Sequence, residues 1–537
     1  MSTSAIKVPG RFAFIAPLTA LLCSLVLGCV LDKTLVVTNP TAVVGTWTIT
    51  TQVGSAAGGT RTLHRIVRVW IDSAGRLQVS IDEVEEQVEG VRGDNAQFKD
   101  GLFSYEVPGS GRYTGTLSLD QNTIDGTWVD LSGGKTPSIL VRHTYGPLPT
   151  AMPSPTPAPA IPPVTLSRLK TVLDGELAPV IEHGLLNKQS GGGLVVAVLD
   201  HGQRRILTYG TAKPDSIYEI GSITKTFTGL VLAQMVVQRK VTLDEPVREL
   251  LPRDFLARPS STEITLLDLA THHSGLPRMP DNFAPKDPYN PYADYGAVRM
   301  HEFLFTHGLS KPANAFFLYS NVGFELLGYG LALREGLPYE GLVSTEITDP
   351  LHMSDTVVSL STEQRARLVQ GYDANFHPVQ PWDWNSDFGG SGALKSTAAD
   401  LLIYLDANLH PEKYASGATA GSPAATLPAA FAIDHELRAD VSTTGKVALA
   451  WFVDKDHNFA HNGGTTGYNC YVEFNPQNDR AIVALYNRGT QDLVGPIFFA
   501  DRVAENVREL LSGKPSIKLD VLSDDDRAAL NRLTHSH

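Results

Sequence analysis

The chain has 537 residues, of which 42% are hydrophobic and 19% charged, and a formal net charge of -13. This length and apolar content permit a large buried core and predict two or more domains. The negative charge argues against a nucleic-acid partner, because a phosphate backbone requires a basic protein face. Three cysteines are too few for a disulfide framework, and Cys470 is expected to be a small buried residue.

The N-terminal segment has the pattern of an export signal. Lys7 and Arg11 accompany an apolar run over residues 12–27, which is too short for a membrane-spanning anchor. Residues 26–29 (VLGC) resemble the processing site of bacterial lipoproteins, in which the cysteine becomes lipid-modified. We therefore expect a lipoprotein-type signal peptide over residues 1–28 and a lipid anchor to the membrane at Cys29. The protein is then exported to the cell envelope, in the periplasm or on the outer surface, with plain secretion as the alternative.

Residues 43–145 are predicted to form a small all-β domain, either a barrel or a sandwich. Short runs of alternating polarity are separated by turns that contain glycine. Trp47 and Trp128 each follow Gly-Thr in a pattern that resembles lipocalin-type strands. Tryptophans in such strands more often fill the core than contact a ligand, although a ligand-holding barrel is the alternative. Residues 146–164 alternate proline with small residues and predict an extended linker.

Residues 165–514 predict an α+β domain. Strand pairs near both ends of this region enclose a mainly helical middle, so the pattern predicts one antiparallel sheet flanked by helices, plus a mostly helical lobe. The last segment, residues 515–537, is acidic and is expected to be a loosely attached tail. The expected elements are a helix over 166–186, strands over 193–198, 205–210, 469–474 and 481–486, and a final helix over 498–511.

Ser222 and Lys225 stand three residues apart at the start of an apolar segment with helical periodicity. They share one face of a helix, with Cβ atoms about 5–6 Å apart. A serine hydroxyl becomes a nucleophile when a neighbouring base takes its proton, and a lysine in a dry pocket can lose its charge and act as that base. The same spacing occurs at Ser167 and Lys170, where we expect a surface turn of a helix, so this motif needs support from others.

Tyr319 and Asn321 form a second motif at the start of another helix-like segment. A tyrosine near a lysine ammonium is expected to have a lowered pKa and to carry a proton to and from the serine. The Asn321 amide could donate to the acyl carbonyl of a substrate. On its own, this segment could equally be a helix cap formed by Ser320 or Asn321.

Residues 461–467 (HNGGTTG) form the third motif. Glycines allow a strand to approach a substrate closely, and the N–H groups of Gly464 and Ser222 could form an oxyanion hole, each donor contributing roughly 3–4 kcal/mol to the transition state. His461 could contact a substrate carboxylate or the tyrosine, and the usual imidazole pKa near 6.5 predicts a part-time charge at neutral pH. A glycine-rich turn with an incidental histidine is the alternative.

The order Ser-x-x-Lys, Tyr-x-Asn and His-x-Gly resembles the serine β-lactamase and penicillin-binding superfamily, in its class C-like branch. That branch contains class C β-lactamases, D-alanyl-D-alanine carboxypeptidases and related esterases. Segments 219–222, 240–247, 266–277 and 389–400 agree with it, and the resemblance covers about residues 194–487. It implies Ser222 as the acylated nucleophile, Lys225 and Tyr319 as the proton-transfer pair, and Asn321, His461, Gly463 and Gly464 as substrate contacts. Class C β-lactamases usually have Lys-Thr-Gly at the third motif, so His461 weakens the case for an efficient β-lactamase.

Together these features predict a serine hydrolase that works through an acyl-enzyme, with no cofactor and no metal. The expected substrates are the D-Ala-D-Ala ends of peptidoglycan stem peptides or β-lactams. An esterase of small acyl esters is the first alternative, and a non-catalytic envelope-binding protein is the second. Retention of all three motifs disfavours the non-catalytic alternative.

Overall fold

The computed structural model describes residues 40–142 and 161–519, apart from short internal segments. The predicted signal peptide, Cys29, most of the proline-rich segment and most of the acidic tail lie outside the described residues. The undescribed internal segments are 44, 55–59, 72–75, 84–87, 108–109, 119–120, 131–133, 253–261, 312–316, 386–387, 442–444, 490–498 and 518.

The first eight strands close into an antiparallel barrel, which decides between the barrel and the sandwich expected from the sequence. Alternate side chains such as Val67 and Val69, and Val79 and Ile81, are buried, as expected when successive residues face opposite sides of a strand. The strands are β1 Gly45–Gly54, β2 Thr60–Ile71, β3 Leu77–Glu83, β4 Val88–Lys99, β5 Leu102–Val107, β6 Gly111–Leu117, β7 Thr123–Asp130 and β8 Lys135–Arg142.

Aromatic side chains fill the described interior of this barrel. Trp47 is fully buried and its indole N–H donates to the Val43 carbonyl oxygen at 2.8 Å. The Tyr113 hydroxyl donates to the carbonyl oxygens of Ile124 and Ser138, at 2.9 and 3.1 Å. Buried polar groups with satisfied hydrogen bonds are typical of a packed core, so these contacts favour the structural role over the ligand-holding one.

The second region is built on an eight-stranded antiparallel sheet, in the order β10-β9-β20-β19-β18-β17-β16-β15. The predicted α+β fold with helices flanking an antiparallel sheet is therefore confirmed. Strand β9 is buried on both faces because helices cover both sides of the sheet. The strands are β9 Gly193–Asp200, β10 Gln203–Gly210, β11 Ile217–Glu219, β12 Gly371–Tyr372, β13 Pro378–Val379, β14 Lys395–Thr397, β15 Ala439–Asp440, β16 Lys446–Val447, β17 Phe452–Val453, β18 Phe459–Gly464, β19 Asn469–Asn475 and β20 Arg480–Tyr486.

The helices form two groups around the sheet. The first and last helices pack on one face through buried leucines and valines, and the central helices form a larger core on the other face. Among the described residues, no helix combines the length and the apolarity needed to cross a bilayer. The helices are α1 Leu166–Glu182, α2 Thr224–Val237, α3 Leu266–Ala270, α4 Ala297–His307, α5 Asn321–Glu335, α6 Tyr339–Val343, α7 Thr362–Arg367, α8 Ala398–Leu409, α9 Pro411–Ala415, α10 Pro423–Asp434 and α11 Phe499–Leu511.

Candidate active site

Ser222 lies in a short 3-10 turn, Gly221–Ile223, and Lys225 is the second residue of α2. The serine therefore precedes the α-helix rather than standing inside its first turn. The Lys225 ammonium donates to the Ser222 hydroxyl oxygen at 3.0 Å. Lys225 is fully buried, and burial, with a smaller contribution from the positive charge of Arg278, lowers its pKa well below the usual value. The geometry is that of a serine and its prospective base.

Lys225 joins the first two sequence motifs to a third segment. Its ammonium also donates to the Asn321 side-chain oxygen at 2.9 Å and to the Ser391 carbonyl oxygen at 2.7 Å. An ammonium has three donors, and these contacts use all of them. Ser391 lies in the segment 389–400 that supported the family resemblance, but no role was predicted for it from the sequence.

Tyr319 is half-buried and lies beside the same lysine. The Lys225 ammonium lies 4.9 Å from the centroid of the tyrosine ring. Burial raises the pKa of Tyr319 to about 12, while the Arg278 charge and a hydrogen bond with Ser222 lower it by less. The sequence-based expectation of a lowered phenol pKa is therefore wrong, because the loss of hydration outweighs the nearby positive charges. At neutral pH Tyr319 is a protonated phenol that can donate to a reacting group.

His272 fixes the segment that carries Tyr319, a role that the sequence did not reveal. Its backbone is left-handed, with φ 61°, and its carbonyl oxygen accepts from the Leu318 N–H at 2.8 Å. The ring Nδ1 accepts from the Ser320 N–H at 3.0 Å, and the ring centroid lies 4.4 Å from that of Tyr319. Only its place in the segment 266–277 could have drawn attention to it.

His461 lies on β18 and is 1% exposed. Its Nδ1 donates to the Asn462 carbonyl oxygen at 2.6 Å, and burial lowers the pKa of the imidazole to about 3. The part-time charge expected from the usual pKa is therefore absent at neutral pH. The Asn462 side chain donates to Asp501 on α11 at 2.9 Å. Thus Asn462 ties the strand to this helix.

Gly463 and Gly464 bring β18 into contact with the turn that holds Ser222. A Cβ atom placed on Gly463 would lie 1.9 Å from the Ile220 carbonyl oxygen and 3.2 Å from the Ser222 nitrogen. Gly221 has φ +50°, and a Cβ there would lie 2.8 Å from the Gly464 nitrogen. This close approach requires glycine, and it brings together the two segments from which the proposed oxyanion donors come.

Arg278 contributes a fixed positive charge that the sequence analysis did not identify. Its guanidinium carbon lies 5.1 Å from the centroid of the Tyr319 ring, and its carbonyl oxygen accepts from the Asn321 N–H at 2.9 Å. Arg278 directly follows segment 266–277, which agrees with the family resemblance, and nothing else in the sequence pointed to it. The structure therefore groups Ser222, Lys225, Tyr319, Asn321, His461, Gly463 and Gly464, and adds His272, Arg278 and Ser391.

Residues 180–501, more than half of the chain, match the family model for β-lactamases. The chain belongs to the β-lactamase family. This confirms the resemblance drawn from the three motifs and supports a hydrolase.

Two relatives illustrate the range of activities in this β-lactamase family. A β-lactamase of Pseudomonas fluorescens is 29% identical over 46% of this chain and 66% of its own length. The D-alanyl-D-alanine-carboxypeptidase/endopeptidase AmpH of Escherichia coli K12 is 27% identical over 60% of this chain and 86% of its own length. The chain thus spans just under two thirds of the first relative and most of the second.

Solved structures of class C β-lactamases share this fold. One such enzyme has a TM-score of 0.52 at 21% identity, covering 66% of this chain and 98% of its own. A mutant class C β-lactamase has the same TM-score and identity, with 64% of this chain and 97% of its own covered. Likeness at this level concerns the fold of the second region alone.

Proposed function

We propose that this β-lactamase-family hydrolase acts through an acyl-enzyme at Ser222. Its preferred substrates are the D-Ala-D-Ala ends of peptidoglycan stem peptides and β-lactams. The observation that carries the proposal is the set of contacts of the buried Lys225 ammonium, which reaches Ser222 and Asn321 at 3.0 and 2.9 Å. Burial of an amine opposes its charge, so a buried lysine contributes little to stability. Its contact with a serine hydroxyl is better explained by activation of a nucleophile.

The proposed reaction uses this geometry as follows. Lys225 takes the hydroxyl proton as the Ser222 oxygen attacks the substrate carbonyl, and the N–H groups of Ser222 and Gly464 hold the resulting oxyanion. Tyr319 gives its phenolic proton to the leaving nitrogen or oxygen and regains a proton from Lys225. Water then attacks the ester carbon, giving its proton to this pair, and the serine oxygen leaves with a proton returned by them.

The substrate class rests on the AmpH relative, whose 86% coverage includes most of a carboxypeptidase. A fixed cation near the site is consistent with an anionic substrate, and Arg278 provides one. The envelope location and the lipid anchor at Cys29 fit such a substrate and stay predictions from the sequence.

A second candidate is an esterase of small acyl esters. The observation that favours it is the neutral His461, since burial lowers the pKa of this imidazole to about 3. The position that carries a lysine in class C β-lactamases therefore offers a substrate carboxylate no charge at neutral pH. An uncharged ester has no carboxylate, so a neutral imidazole in place of the lysine does not weaken its binding.

The proposal is tested by labelling with a fluorescent penicillin, followed by mass mapping of the labelled peptide. We expect a covalent adduct at Ser222 that is lost in Ser222→Ala. Ser167→Ala is the matched control, because Ser167 and Lys170 have the same spacing in α1 and lie outside the site. An adduct at another residue contradicts the assignment of the nucleophile. Hydrolysis of nitrophenyl esters by a protein that takes no penicillin label would support the esterase instead.

A further inference from the structure

The contact between Lys225 and the Ser391 carbonyl oxygen depends on how segment 389–391 is held. Ser391 is 2% exposed, and its carbonyl oxygen accepts from the Lys225 ammonium at 2.7 Å. A Cβ atom on Gly390 would lie 2.3 Å from the Phe324 carbonyl oxygen, so this segment packs directly on α5. The orientation of the base is therefore coupled to α5.

Glu325 on α5 holds this segment. One carboxylate oxygen accepts from the Gly389 N–H at 2.9 Å, and the other accepts from the Ser391 N–H at 3.1 Å and from the Ser391 hydroxyl. Glu325 is 4% exposed and stands one helical turn after Asn321, which also contacts Lys225. A buried carboxylate is costly unless its oxygens are hydrogen-bonded, and here both are.

We propose that Glu325 is a positioning residue for Lys225, which fixes the Ser391 carbonyl against the ammonium and supplies the buried negative charge that balances it. The inference deepens the proposed function and rests on it. Burial raises the pKa of Glu325, while hydrogen bonds with Ser391 and Gly389 and the charge of Lys225 lower it by less. Burial lowers the pKa of Lys225, and Glu325 raises it by less. The effects are reciprocal because each charged form stabilises the other.

The other titratable and charged groups around Lys225 do not supply this negative charge. Tyr319 is a protonated phenol, and burial keeps His272 and His461 neutral by lowering their pKa values. Arg278 is positive and opposes the ammonium. Among the described residues, the titratable and charged groups that face Lys225 are His272 and Arg278 after α3, Tyr319 before α5, Glu325 on α5 and His461 on β18.

The test is the pH profile of acylation by a fluorescent penicillin in Glu325→Gln. Without the carboxylate charge, Lys225 loses its proton more easily, so the acid limb of the profile should move to lower pH by about one unit. The plateau rate should fall about tenfold, because the amide group of Gln cannot accept from both N–H groups and the Ser391 carbonyl shifts.

Two further variants separate charge from structure. Glu325→Asp keeps the charge but shortens the side chain, so the midpoint should stay in place while the plateau falls. Glu346→Gln is the matched control, because Glu346 is 1% exposed, bonds to Gln238 and faces Lys240 beyond the far end of α2. It should change neither the midpoint nor the plateau.

An unchanged midpoint in Glu325→Gln, whatever its rate, overturns the inference, since a merely structural role lowers the rate equally at every pH. If that variant does not fold, Glu325→Asp decides, and an unchanged plateau there overturns the inference. A wild-type protein that takes no label contradicts the proposed function and the inference together. Labelling of the wild type with an unmoved midpoint in the variant contradicts the inference alone.

Discussion

At the scale of single residues, burial sets the protonation states of the site. It lowers the pKa of Lys225 and of His461 and raises that of Tyr319. All three shifts have the same cause, since loss of hydration disfavours whichever form is charged. At neutral pH the site thus contains a protonated phenol and an uncharged imidazole, beside an amine whose pKa burial lowers. Arg278 places a fixed positive charge close to Tyr319.

The neutral His461 leads to a prediction about substrate preference. An acyl D-Ala-D-Ala peptide and its C-terminal amide differ in one carboxylate, which is ionised above about pH 4. Since the pKa of His461 is about 3, the imidazole is uncharged from about pH 5 to about pH 8, and the guanidinium of Arg278 stays charged. We expect the ratio of kcat/KM for the acid to that for the amide to be constant over this range.

A charged His461 would instead make the preference for the acid depend on pH. If an imidazolium with the usual pKa bound the carboxylate, the preference for the acid would be highest below about pH 6.5 and would fall as the pH rises through that value. Steady-state kinetics on both peptides gives the ratio at each pH. A fall with a midpoint near 6.5 would show that His461 is charged in the working enzyme.

At the scale of elements, the site depends on close backbone packing between β18 and the turn before α2. Gly463 of the strand faces the Ile220 carbonyl oxygen, and the turn residue Gly221 faces Gly464. Neither side tolerates a Cβ atom without separation of the two elements. The strand and the turn therefore hold their N–H groups in fixed relative positions, as an oxyanion hole requires.

The substitution Gly463→Ala tests this close packing between β18 and the turn. The added methyl group would lie 1.9 Å from the Ile220 carbonyl oxygen, so the strand must move away from Ser222. We expect kcat/KM to fall about 100-fold or more, the usual effect of losing one oxyanion donor. Gly175→Ala on α1 is the control, because nothing lies within 4 Å of its Cβ position and alanine favours a helix there. Equal activity of both variants would contradict the assignment of the hole.

The sequence predicted the elements of this site better than the supports between them. Hydrophobic periodicity placed the final helix α11 and the two strands of the β19–β20 hairpin to within two residues. Glu325 and His272 could not be assigned, because their roles depend on contacts with Ser391 and Ser320, 66 and 48 residues away along the chain. The pKa errors at Tyr319 and His461 have a related cause, since burial is a property of the packed structure.

At the scale of the whole molecule, the candidate site and the barrel occupy separate parts of the chain. The residues grouped at the site lie between Ser222 and Gly464, whereas the barrel strands end at Arg142. The described barrel interior is filled by its own side chains. The first described residues of the hydrolase region are hydrogen-bonded to its last helix, since the Val164 N–H donates to the Leu510 carbonyl oxygen at 2.9 Å.

A chain that starts at residue 161 should therefore fold and react as the longer chain does. It keeps α1, whose Leu169, Leu173 and Leu177 are fully buried against the sheet and α11. We expect the same second-order rate of acylation by a fluorescent penicillin, because no site residue is removed. A start at residue 184 is the matched control, since loss of α1 exposes that core, at roughly 1.5–3 kcal/mol for each buried leucine, and should prevent folding. A slower reaction in the chain from 161, at an unchanged melting temperature, would instead assign the barrel a direct part in substrate binding.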